Sequence, residues 1–277
     1  MIRKLWAALA VVGVVAAMSV ASALPAAAAD GTVYVVHGIP GVTVDVYVNG
    51  TKTLPNFTPG TVAGPLTLPA GTYEVKIYAA GADPSTATPV ITQSVDLPAG
   101  ANASLVAGLD ASKTPKLFTF VNDVSAAPAG QGRLAVAHTP AAPAVDVLAN
   151  GKPAFTNLTN GNEDKADLPA GTISASVVAA GTTSPALIGP ADVSVVANVL
   201  TVVYAVGAPA SGSTASTLGV VTQQIPLAAH NASVPTGTSG LLDQSGGIPT
   251  WAIAALAVAL LGIVASGGVL VRARSRA

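Results

Sequence analysis

HGIPGVTVDVYVNG, residues 37–50, decides the fold class, because its valines fall on every second position. Val42, Val44, Val46 and Val48 alternate with Thr43, Asp45 and Tyr47, which puts the valines on one face of an extended strand. Asn49-Gly50 then supplies two residues that tolerate the positive φ of a tight hairpin turn. The stretch returns as HTPAAPAVDVLANG, residues 138–151, with His, Asp and Asn-Gly all shifted by 101 positions. Leu68-Pro-Ala-Gly-Thr72 returns as Leu168-Pro-Ala-Gly-Thr172, and Ala79-Ala-Gly81 as Ala179-Ala-Gly181. A unit of about 100 residues is domain-sized, so the repetition predicts two bead-like domains instead of a solenoid.

Outward from the Val-Asp-Val strands the period stays at two. Thr72 to Tyr78 is expected to turn Tyr73, Val75 and Ile77 inward, and Ser94 to Leu97 and Ala103 to Ala107 continue the pattern. Asp192 to Val195 and Val199 to Val206 do the same in the second unit. Short strands with turn signals every 8–12 residues predict an all-β fold, two tandem antiparallel β-sandwiches of immunoglobulin-like type. The expected units are 30–125 and 130–224, joined at Pro128-Ala-Gly130, with each able to fold alone. Residues 225–250, rich in Gly, Ser, Thr and Pro, read as a flexible stalk.

The two ends predict export and anchoring. Arg3 and Lys4, the apolar Leu5 to Val20, Pro25 and the small residues Ala26 to Ala29 form a signal peptide, residues 1–29, with cleavage expected between Ala29 and Asp30. Trp251 to Val271 contains no charge over 21 residues, enough for one membrane-spanning helix, and Arg272, Arg274 and Arg276 follow in the tail 272–277. The positive-inside rule keeps that tail cytoplasmic and the ectodomain outside. Gly262-x-x-x-Ser266 is a spacing that packs helices, yet one that chance supplies often, and the oligomeric state is left open. The same order of spacer, helix and basic tail resembles a wall-sorting signal, the alternative to membrane retention. Neither Val234-Pro235-Thr236-Gly237 nor Ile248-Pro249-Thr250-Trp251 matches the Leu-Pro-x-Thr-Gly motif of that route.

Composition removes several chemistries. Cysteine is absent, which excludes disulfides, thiolate metal sites and thiol nucleophiles. From Asp30 to Asp243 seven basic residues face all 13 acidic ones, a balance of −6 that offers nucleic acid no basic patch. Gly-x-Ser-x-Gly is absent, and Gly130-Gln-Gly132 precedes a strand instead of joining strand to helix as a dinucleotide loop would. Five Asn-x-Ser/Thr sequons begin at Asn49, Asn56, Asn102, Asn157 and Asn231, as expected by chance in a Ser- and Thr-rich chain.

Val-Val-His37 or Val-Ala-His138, a Pro-containing turn, Val-Asp-Val, Asn-Gly and Leu-Pro-Ala-Gly-Thr together resemble the domain of unknown function 4397 family. The resemblance spans residues 32 to 224 and implies an exported bacterial β-domain, often duplicated and often anchored. It brings no catalytic residues with it.

His37 with Asp45 and His138 with Asp146 are the one constellation to weigh as chemistry. A zinc site needs three or four ligands, and each unit offers one His and scattered carboxylates. The expectation is that each His closes its strand by hydrogen bonding across the turn while each Asp accepts backbone or hydroxyl bonds. No catalytic, cofactor or metal residue is therefore assigned. Two function classes follow: a non-enzymatic surface module binding wall polymer or another surface protein, or an envelope enzyme or metal-dependent factor using the His/Asp pairs. A concave pocket gathering His and several carboxylates would favour the second.

Overall fold

The computed structural model describes residues 28–211 and 215–229. The signal peptide's apolar core, the membrane helix, its basic tail and nearly all of the stalk lie outside these residues.

The described residues fold as sixteen strands and no helix. The first repeat holds β1 (Gly31–His37), β2 (Val44–Val48), β3 (Thr51–Phe57), β4 (Val62–Leu68), β5 (Gly71–Ala79), β6 (Ile91–Leu97), β7 (Asn102–Leu109) and β8 (Pro115–Val121). The second holds β9 (Gln131–His138), β10 (Val145–Ala149), β11 (Lys152–Leu158), β12 (Glu163–Pro169), β13 (Gly171–Ala179), β14 (Ala186–Val195), β15 (Val199–Val206) and β16 (Gly219–Pro226). Each repeat is a pair of four-stranded sheets in matching order, β4-β1-β7-β8 with β3-β2-β5-β6, and β12-β9-β15-β16 with β11-β10-β13-β14. The duplication read from the motifs therefore extends to every strand.

Local chemistry accounts for the strands. Val44 and Val46 enter the core between the two sheets of the first repeat, together with Tyr73, Val75 and Ile77 from β5. Asn49 (φ 47°) and Gly50 (φ 79°) turn the β2–β3 hairpin, as Asn150 (φ 51°) and Gly151 (φ 76°) turn β10–β11. Two positive φ values in a row are the signature of a type I′ turn. Val42 departs from the reading: it precedes β2 in the turn and is 43% exposed.

Two topological expectations are corrected. In an immunoglobulin sheet the first strand pairs with the second; here β1 pairs with β4 and β7, because Gly38 to Thr43 carries the chain across to the opposite sheet. The sheets are also not wholly antiparallel, since β1 runs parallel to β7 and β9 parallel to β15. A parallel neighbour requires a crossover, and the outer sheet of each repeat lies within that crossover.

The two repeats are joined by packing. Both repeats fall within one compact unit. Besides a core inside each repeat, a third core joins them, made from Val36, Val106, Phe118 and Phe120 of the first and Leu200, Val202, Tyr204, Val221 and Ile225 of the second. The sheets β4-β1-β7-β8 and β12-β9-β15-β16 are thus covered on both faces, and their central strands are buried nearly end to end. Strands covered on both faces read as continuous apolar runs, which is what Val199 to Val206 is. A Cβ on Gly108 would lie 2.8 Å from the Thr139 carbonyl oxygen, so the approach of β7 to the second repeat requires glycine there.

The joint between the repeats is pinned. The Arg133 guanidinium pairs with both carboxylate oxygens of Asp167, Nε–Oδ1 at 2.8 Å, and donates to the Asp123 and Ser125 carbonyls. The Ser125 hydroxyl, above all, with Lys165 and Arg133 nearby, lowers the Asp123 carboxyl to about 2. Downstream, β16 runs to Pro226, Leu227 is buried, and the Ala228 amide donates to the Val124 carbonyl at 2.7 Å. The second repeat therefore extends past the expected boundary at 224, and residues 225–228 are built into the fold.

Candidate functional site

The structure places His37 and His138 at equivalent ends of β1 and β9, wholly buried. His37 Nε2 bonds the Val42 carbonyl at 2.8 Å across the turn, and His138 Nε2 bonds the Pro143 carbonyl at 2.9 Å. A carbonyl only accepts, so Nε2 carries the proton in both. The Ile39 amide donates to His37 Nδ1 at 3.3 Å. The position matching Ile39 is Pro140, which has no N–H, and His138 Nδ1 is left without a partner. Burial lowers both imidazoles below the usual histidine range, against the opposing pull of their carbonyl partners.

Asp45 and Asp146 do different work. Because Val44 and Val46 point into the core, the carboxylate between them projects to the opposite face. Asp45 Oδ1 accepts the Asn56 amide at 2.8 Å, and its Oδ2 accepts the Gly81 amide at 3.1 Å and the Lys52 ammonium at 2.7 Å. Asp146 accepts the Asn157 amide at 2.7 Å and the Gly181 amide at 2.8 Å. The Lys52 bond, followed by the amide bonds, holds Asp45 below the ordinary carboxylate range. Asn56, Asn157, Gly81 and Gly181 all have positive φ, so each Asp fastens a bulge in one strand and the turn after another. Each histidine and each aspartate has its own backbone partners, and the pairs do not converge. Among the described residues no three His, Cys, Asp or Glu side chains gather in a metal-binding group.

Sequence reasoning missed the polar line that crosses the shared core. The Tyr204 hydroxyl is 2.7 Å from Ser104 Oγ of the other repeat and 2.9 Å from Gln223 Oε1. One proton cannot serve both. A half-turn of the Gln223 amide lets its N–H donate to the phenol oxygen while the phenol donates to Ser104. Asn122 Nδ2 continues the line, 2.9 Å from Ser104 Oγ and 2.8 Å from Asn102 Oδ1. Burial, foremost, raises the Tyr204 phenol and keeps it neutral. Glu163 lies on the face of β12 opposite Ala166 and Leu168, which pack into the second repeat's own core. Its Oε2 is buried without a partner, and burial raises this carboxyl to about 7. The signal available for Tyr204 was the unalternating run around it.

Shallow hollows adjoin His37 and His138, lined otherwise by apolar residues and glycines with no carboxylate, and the two apolar cavities lie inside the sheet pairs. In the first repeat a cavity of about 40 Å³ is lined by side chains such as Val46, Leu66, Val75 and Leu105. In the second, the matching space is about 100 Å³, lined by Val136, Val147, Ala149, Ala175, Val193 and Val203 among others. A polar cleft of about 190 Å³ adjoins it and shares Asp192, Val193 and Thr222 with its lining; Ser194, Thr201, Gln223 and Gln224 complete the polar side. The arrangement can take up an apolar group. Neither buried histidine lines this cleft.

No curated protein matches the chain. The family comparison reaches from β1 into β10 and leaves the rest of the second repeat to the internal repetition. Residues 31–147 match the model of the family described as Domain of unknown function (DUF4397), the family that the motifs resemble.

Proposed function

We propose that this chain is a membrane-anchored surface protein of the bacterial envelope whose ectodomain, two tandem β-sandwiches, is a non-enzymatic binding module. The signal peptide would end at Ala29, the mature chain would begin at Asp30, and Trp251 to Val271 would hold it in the membrane with the arginine tail inside. The observation that carries the reading is the apolar cavity of the second repeat with its polar cleft, set in a β framework braced on both faces. The polar groups that could have suggested catalysis spend their hydrogen bonds on backbone, which supports binding over chemistry.

Two measurements test this. External protease should remove the ectodomain from whole cells whose outer layers admit it, and N-terminal sequencing should read Asp30 within a residue or two. Ectodomain displayed on the anchored chain should retain an envelope component in a pull-down, and H37A and H138A should retain it in proportion to their folded fraction. Met1 on the membrane-bound protein, or turnover of an envelope component that both His variants abolish while still folded, would overturn the reading.

A further inference from the structure

We propose that the cavity between the two sheets of the second repeat binds the alkyl chain of a small amphiphile, whose uncharged or cationic polar end rests at Asp192 and Thr222. This deepens the binding-module reading and rests on it for the chain's exposure to such ligands.

The cavity has a cause in the sequence. Strand register aligns the repeats residue by residue, with Val48 opposite Val75 in the first and Ala149 opposite Ala175 in the second. The same alignment sets Ala166 against Leu66, Val177 against Ile77, and Val203 against Leu105. Each of these changes removes carbons from the same interior, outweighing the one carbon gained where Leu134 stands for Val33, and the space grows from about 40 to about 100 Å³. Truncation alone would leave a closed void. The second repeat is also open along one side: Leu117 is 1% exposed, whereas Val220 at the matching position is 43% exposed. In the first repeat the edge strands β6 and β8 come together; β14 and β16 do so far less.

The opening is polar where the interior is not. Asp192 and Thr222 line both the apolar cavity and the cleft outside it, and Ser194 and Gln224 lie further out. An apolar cavity of this order is large enough to take a small hydrocarbon and too apolar to hold water comfortably, since water needs two to four polar partners. A group of amphiphilic shape satisfies both zones at once. Asp192 is the one ionisable residue lining the two spaces, so a head that donates hydrogen bonds or carries positive charge is favoured over a carboxylate or phosphate.

The test uses the full chain in its own membrane. Octylamine carrying a diazirine at the far end of its chain is photolysed with those membranes, and the adducts are mapped by mass spectrometry. Adducts are expected on β13, β14 and β15 at Ala175, Val193 and Val203. The double variant A149V/A175V, which restores the residues of the first repeat, should lose these adducts by about tenfold. An octanoate probe with the same diazirine should label the site several-fold less. Folding of the variant is checked by its protease resistance, which the added methyls should maintain or raise. A diazirine in an acyl chain of a bilayer phospholipid separates sources: weak labelling from it supports the head-group preference, and cavity adducts as strong as those from octylamine would overturn it, because its head carries a phosphate. Equal labelling of wild type and A149V/A175V at these residues, or no cavity adduct from either probe, overturns the site. A pull-down that captures no partner while the cavity still labels would instead overturn only the wider binding-module role.

Discussion

The two repeats share a backbone and differ in what fills it. Each turns its hairpin with Asn-Gly at positive φ, ties its first strand through a buried histidine to a carbonyl five residues on, and fastens a bulge and a turn with one aspartate. Interior volume, by contrast, thins from Val48 and Val75 to Ala149 and Ala175. The difference teaches that conformation here is set by hydrogen bonds and special φ values, which admit few substitutes. Side-chain volume is adjustable, because an aliphatic residue of another size keeps the alternation that puts a strand in place. The second repeat remains folded with the thinner core because it shares a third core with the first.

The sharpest way to break this comparison is to separate the repeats. Chains ending at Ser125 or beginning at Gly130 each expose one face of the shared core, and neither is expected to give the cooperative unfolding of the pair. Circular dichroism with a hydrophobic dye measures this, and the thin-cored second repeat should suffer more. Two half-chains that each unfold cooperatively with the stability of the whole would show that the shared core is dispensable.

Tyr204→Ala is the next largest perturbation. It empties a fully buried aromatic position and strips Ser104 and Gln223 of their common partner, so a loss of about 3–5 kcal/mol is expected in denaturant unfolding. Tyr204→Phe keeps the ring and should lose about 1–3 kcal/mol, the part due to unpaired polar groups. If the two variants were equally stable, the hydroxyl line would matter more than the packing it crosses.

Glu163 gives the comparison a pH axis, as the matching position in the first repeat is the apolar Val62. Burial raises its carboxyl from the ordinary 4.5 to about 7 on folding. The folded state thus binds a proton that the unfolded state releases between those values, and stability falls as pH rises from 4.5 to 7. Glu163→Gln should remove that slope and add about 2 kcal/mol at pH 8 relative to wild type, less where solvent reaches the group. The buried histidines act oppositely. Kept neutral in the fold, they withdraw stability as pH falls below about 6.5, the unfolded value. Chemical denaturation across pH 4 to 9 separates the two slopes, and an unchanged slope in the Gln variant would remove Glu163 as the cause.

The smallest effect sharpens the comparison most finely. His37 uses both ring nitrogens and His138 only one, because proline replaces the residue whose amide would donate. His37→Ala and His138→Ala should each cost about 1–3 kcal/mol, with the first larger by about 1 kcal/mol or less. A larger loss at His138 would mean that packing, not hydrogen bonding, governs these positions.

What could be read from the chain follows the same division. Period two located Val44 and Val46, Asn-Gly located the hairpins, and the matched His and Asp pointed to turn-fastening groups, because each depends on a few neighbouring residues. The parallel pairing of β1 with β7 depends on how a whole crossover is laid down, and no local pattern encodes it. The shared core was half visible: Val199 to Val206 lacks the polar alternation of a strand with one wet face, but nothing in the run names Val36 and Phe118 as its partners. The cavity was hidden because replacing Val75 by Ala175 leaves the apolar pattern intact.

The bond from the Ala228 amide to the Val124 carbonyl has a mechanical consequence. It fixes the last described strand to the joint between the repeats, beside the buried Leu227. Tension drawn along the chain beyond residue 229 therefore loads this waist first, where Arg133 and the shared core spread it over both repeats. The chain leaves from β16, an edge strand paired only with β15, so this bond and the burial of Leu227 are the latch that tension must open before that strand can peel away.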